Sequence, residues 1–113
     1  MKTIPEITWT KDEFKAYVLL FAANSDLKEN RQEQEFILKR INKDTYHKIH
    51  YEFDNDNDFQ SIQKILAGVE KFDYSQDEIE YLTGEIMKLL LADNKLDTIE
   101  QCVFMMLKKI LKK

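Results

Sequence analysis

The chain has 113 residues, 43% hydrophobic and 34% charged, with a formal net charge of −4. That is the balance of one globular domain with a single core, and it weighs against a general nucleic-acid binder, which needs excess Lys and Arg to neutralise phosphates. Two glycines and one proline are too few for the tight turns of an all-β fold, and no uncharged apolar run reaches the roughly 18 residues of a membrane helix.

The first helix is signalled by Thr10-Lys11-Asp12-Glu13, a capping box with Trp9 and Phe14 at hydrophobic-staple spacing. Phe14, Tyr17, Val18 and Phe21 share one face of it, and it should run to about Asn24. Asn30-Arg31-Gln32-Glu33 is a second box, opening a helix with Phe36, Ile37 and Ile41 as its apolar positions. Asp44 can cap a third helix carrying Tyr46, Ile49, His50 and Phe53. The run Asp54 to Asp58 breaks the pattern, since Asp and Asn favour turns and caps. A fourth helix shows Phe59, Ile62, Ile65, Leu66, Val69 and Phe72 at 3.6-residue spacing.

Ser75-Gln76-Asp77-Glu78 is a third box, with Tyr74 and Ile79 as a second staple. The fifth helix carries Ile79, Leu82, Ile86, Leu89 and Leu90. Asp97-Thr98-Ile99-Glu100 opens the last helix, which is apolar on most sides from Val103 to Leu111 and is expected to be central. Lys108, Lys109, Lys112 and Lys113 suit its C-terminus. Cys102 is the single cysteine and sits in this apolar run, where the expected role is a small core residue. Polar residues follow Met1 to Pro5 in place of an apolar segment, so no cleavable signal peptide is expected and the expected location is the cytoplasm.

One acidic block occurs twice. Asp26-Leu27-Lys28-Glu29-Asn30-Arg31-Gln32-Glu33-Gln34 aligns without gaps on Asp93-Asn94-Lys95-Leu96-Asp97-Thr98-Ile99-Glu100-Gln101, at a constant offset (93 − 26 = 67; 100 − 33 = 67). Each block lies between two apolar stretches, which suggests two related helix–loop–helix units. These phrases, extended to Ala22-Ala23-Asn24-Ser25-Asp26 and Leu91-Ala92-Asp93, resemble the tellurite-resistance TerB-like family. That family's pattern is an apolar helix ending in Ala-Asp-Gly-Lys-(apolar), then a polar pair and a Glu opening the next helix. Asn94 stands for the glycine in the second block; in the first, Leu27 replaces it and Glu29 replaces the apolar residue. The resemblance implies a compact all-helical fold of six or seven helices with the two blocks near each other. It also implies an association with stress response and divalent-metal binding.

The residues themselves leave two readings of the blocks open. Asp26, Glu33, Asp93, Asp97 and Glu100 can supply oxygen ligands to Ca²⁺ or another divalent cation if the loops meet. Alternatively Asn30 and Asp97 are caps, and Glu33 and Glu100 close capping boxes with no ligand involved. Capping does not account for Asp26 and Asp93. Asp54, Asp56 and Asp58 match the start of a calcium loop, but Phe59 and Ile65 stand where its glycine and bidentate glutamate belong, so a turn is expected. His47 and His50 share a face with Asp44, without the further ligands of a transition-metal site.

The expectation is therefore an all-α fold: a single compact bundle of about six helices, with a pseudo-repeated helix–loop–helix and the last two helices forming much of the core. The leading function is a small, non-enzymatic TerB-like module with an acidic, cation-binding surface. The alternative is an adaptor that docks a protein partner, or a second copy of itself, through the basic stretch Lys39, Arg40, Lys43, His47 and Lys48. A metal-dependent hydrolase comes third. It requires carboxylates of both blocks to converge on a cleft with an open coordination position.

Overall fold

The computed structural model describes residues 8–24, 31–91 and 98–111, the side chains of 98–100, 102 and 103 excepted. Six helices follow one another: α1 Lys11–Ala23, α2 Arg31–Leu38, α3 Lys43–Asp54, α4 Asp58–Phe72, α5 Gln76–Leu90 and α6 Thr98–Leu111. No strand occurs among the described residues. The fold is an all-α bundle.

Local chemistry sets the helix starts. Thr10 Oγ1 accepts from Glu13 N–H at 3.1 Å while Thr10 N–H donates to Glu13 Oε1 at 3.0 Å, the reciprocal capping box. Ser75 and Glu78 repeat it at α5. Asn57 and Gln60 form another at α4, so the Asp-rich run is a turn, capped one residue before Asp58. At α3 the cap is Asn42, accepting from Thr45 N–H at 2.8 Å. Asp44 instead sits in the first turn, where its charge faces the helix dipole. The caps expected at Asn30 and Asp97 lie outside the described residues.

The central helix is α1, which touches all five others. From Ala16 to Ala23 every residue is buried. An eight-residue run without a charge has no solvent face, and a helix apolar all round must be enclosed. The expectation that α6 is central is overturned. Leu107 and Leu111 of α6 are fully buried, but Met105 is exposed and Lys108 and Lys109 face water, so α6 is an amphipathic cover. The stripe on α4 is partial in the same way: Ile65 and Val69 are buried, while Phe59 and Leu66 are exposed.

A polar network closes the corner between α1, α3 and α4. Trp9 Nε1–H donates to Glu52 at 3.0 Å. Lys64 bridges Glu52 at 2.7 Å and Asp56 at 2.8 Å. Tyr17 O–H donates to Asp56 at 2.7 Å, and Ser61 Oγ lies 2.9 Å from the same phenol oxygen. Burial first, and then Asp56, push the Tyr17 phenol well above its usual range. The network satisfies polar groups that α1 carries into the core, as buried polar atoms require.

Candidate functional site

The two acidic blocks lead from α1 to α2 and from α5 to α6, so their placement depends on how these four helices run. Lys11 Nζ meets Glu78 Oε2 at 2.8 Å, across a separation of 67 residues. Lys15 lies 5.0 Å from the Tyr81 ring centre and 3.8 Å from Glu85. Both pairings advance together along the two helices, so α1 and α5 are parallel. From Lys11 to Ala23 and from Glu78 to Leu90 there are twelve steps each (23 − 11 = 90 − 78 = 12), about 18 Å at 1.5 Å per residue. The two helices therefore end at the same end of the bundle.

The return helices agree. Arg40, just past the end of α2, reaches Glu85 in the middle of α5, so α2 runs back against α5. Phe104 and Lys108 of α6 line a groove with Ile79, Thr83 and Met87 of α5, so α6 packs along α5. The C-termini of α1 and α5 and the N-terminus of α2 thus lie at one end.

Of the five acidic candidates, Asp26, Asp93 and Asp97 lie outside the described residues, and so does the side chain of Glu100. Glu33 is described. It sits in the first turn of α2 and is 3% exposed. A capping-box glutamate is ordinarily at the surface, and nothing in the sequence pattern marks this one as buried. A carboxylate out of water must be held by donors or a cation. The donor set proposed from sequence consists of carboxylates without His or Cys, which is hard-cation chemistry.

Among the described residues, no group of three His, Cys, Asp or Glu is placed to hold a metal ion. The aspartates of the α3–α4 turn are committed apart: Asp54 meets His50 Nδ1 at 2.9 Å, and Asp56 serves Tyr17 and Lys64. His47 is exposed and rests edge-on against the Tyr46 ring.

The basic stretch is divided. Lys39, Lys43 and His47 are exposed. Arg40 instead turns onto Glu85 and stacks on Phe36, its guanidinium carbon 3.7 Å from the ring centre. Lys48 meets Glu13 at 2.9 Å. The hydrogen bond from Lys48 holds the Glu13 carboxyl below its ordinary 4.5; burial opposes this, and the Thr10 N–H and the Lys48 charge add to it. A depressed carboxyl favours the folded state above its unfolded pKa, and that contribution fades as pH falls through the folded value. Glu13→Gln should therefore flatten the decline of melting temperature below pH 4.5, while barely moving it at neutral pH in high salt, where the exposed Lys48 is screened. An acid limb as steep as that of the parent would disprove the pairing.

Fold and residues together define a six-helix all-α domain in which α1 and α5 end at the same end, with a partly self-neutralised basic helix face. No family model matches the chain, and no curated protein or solved structure is similar to it.

Proposed function

We propose that this chain is a small non-enzymatic binding module of the TerB-like kind, acting in the cytoplasm in a stress response. Its acidic end takes a divalent cation, Ca²⁺ foremost, through Asp26, Glu33, Asp93, Asp97 and Glu100. The observation that supports this reading is the parallel, in-register course of α1 and α5, whose C-termini, each followed in sequence by an acidic block, lie at the same end. Capping alone gives no reason for acidic blocks to follow two helix ends that coincide, whereas a hard cation requires oxygens from several places.

The experiment is thermal melting of metal-stripped protein titrated with Ca²⁺, Mg²⁺, Mn²⁺ and Zn²⁺, beside Asp93→Ala. A ligand that binds only the folded state stabilises by about 2.7 kcal/mol at a hundred times its Kd. A saturable rise of several degrees for one ion, lost in the variant, is the expected result. Flat curves at millimolar ion would end the metal reading.

The second reading is an adaptor that binds a protein partner through Lys39, Lys43 and His47. It is favoured by a groove of about 420 Å³ that His47 lines with Gln34, Tyr46, His50, Tyr51 and Asp54, Tyr51 being largely exposed. Arg40 and Lys48 contribute little to it, because their charges are spent within the chain.

A further inference from the structure

Neither reading uses the outer face of α5, and its centre is Gly84. An added Cβ there would meet nothing within 4 Å, so no neighbour in the chain demands a glycine. Glycine in a helix interior nevertheless lowers helix stability relative to alanine. What it provides is a place where another backbone can approach closely.

The residues around it on the same face are ordered. Glu80 lies one turn before Gly84 and Lys88 one turn after (84 − 80 = 88 − 84 = 4). Tyr81 and Met87 flank it at equal spacing (84 − 81 = 87 − 84 = 3). Tyr81 is 62% exposed and the Lys88 side chain 68% exposed. Glu80 accepts from the Gln76 amide of its own helix, at 3.1 Å. Lys88 is 3.9 Å from Glu85, a loose contact that leaves its donors free for others.

We propose that two copies of this chain form a symmetric dimer in which α5 of one protomer crosses α5 of its partner, antiparallel, at Gly84. A two-fold axis at that residue carries each position before Gly84 onto the one equally far beyond it. Glu80 of each protomer then faces Lys88 of the other, about 6 Å along the helix from the crossing. Tyr81 faces Met87, an aromatic–thioether contact. The charge pattern reverses sign about Gly84, so the surface that complements it in register is its own reversed copy. An unrelated apolar helix would leave both charges, Glu80 and Lys88, unanswered. One helix pair gives a small interface, so the dimer is of the weak, reversible class.

The test is sedimentation equilibrium of the full chain from about 10 µM to 1 mM, a range that spans weak dimers. The parent should move from the monomer mass toward twice that mass. Glu80→Lys should weaken the dimer roughly tenfold or more by opposing two like charges. Its fold is not at issue, because Glu80 is exposed and its hydrogen bond among the described residues is to Gln76 of the same helix. Gly84→Leu, whose Cβ meets nothing in its own chain, should weaken the dimer at least as much by holding the two backbones apart. A parent that stays monomeric throughout overturns the proposal. So does a dimer indifferent to Glu80→Lys or to Gly84→Leu.

Discussion

Replacing Gly68 by alanine is expected to cost about 2 kcal/mol and to lower the melting temperature by roughly 8 °C. A Cβ at Gly68 would fall 2.3 Å from both Cδ1 and Cε1 of Phe14. The Phe14 ring is fully buried, with Trp9, Phe72 and Tyr74 ring centres at 6.2, 5.6 and 5.7 Å. It has no free direction in which to swing, so the strain spreads to neighbours. Overpacking of this kind costs about 1–3 kcal/mol, here at or beyond the upper end, and alanine's helix preference returns about 1 kcal/mol. The same exchange at Gly84 meets open space and is expected to raise stability by about 0.5–1 kcal/mol at concentrations where the chain is monomeric. Opposite signs from one substitution at two helical glycines separate packing from propensity. Phe14→Leu should relieve Gly68→Ala, giving a favourable coupling of about 1 kcal/mol or more in a double-mutant cycle. Equal gains at Gly68 and Gly84 would show that the ring is not pinned.

Helix starts were legible because they are local. Thr10 and Ser75 announce caps by residue type and three-residue spacing, and the structure bears this out at α1 and α5; the Asn/Asp run announces a turn by residue type, and the Asn57–Gln60 box that opens α4 is visible only in the structure. At α3 residue type misled: Asp44 is the expected cap, but Asn42, two residues earlier, takes that role and Asp44 falls in the first turn. The centre of the bundle was also written in the chain, in the charge-free run from Ala16 to Ala23, but counting one apolar face conceals a helix that has no polar one. In α6 the run of apolar letters misleads the other way, because Met105 tolerates exposure and the lysines require it.

Long-range placement was less legible. The 67-residue offset of the acidic blocks is visible in the sequence, yet only the contact of Lys11 with Glu78 shows that α1 and α5 start together and run parallel. Glu33 reads as a capping-box residue or a metal ligand and Glu85 belongs to no motif, and both are buried. Burial of a charge depends on what another helix brings to it, and sequence periodicity carries no record of that partner.

Glu85 makes the point quantitatively. It is 3% exposed, and Arg40 Nε–H donates to its Oε1, with Lys15 and Lys88 at 3.8 and 3.9 Å. Arg40 also donates through Nη1 to the Phe36 carbonyl at 3.2 Å and keeps its side chain 28% exposed. The pair is therefore asymmetric: the acid is out of water and the base is not. Removing the base strands the acid, and breaking a buried pair in this way costs about 3–5 kcal/mol when nothing else is near. Two lysines close by soften that figure, so Arg40→Ala is expected to cost about 2–3 kcal/mol, read from denaturant unfolding. Glu85→Gln keeps an acceptor for Arg40, whose charge still reaches water, and should cost about 1 kcal/mol. Combining Arg40→Ala with Glu85→Leu removes the stranded charge and should recover about 1 kcal/mol or more relative to Arg40→Ala alone. Equal costs for the two single changes would mean that both partners are equally hydrated, and that the clasp joining α2 to α5 lies at the surface after all.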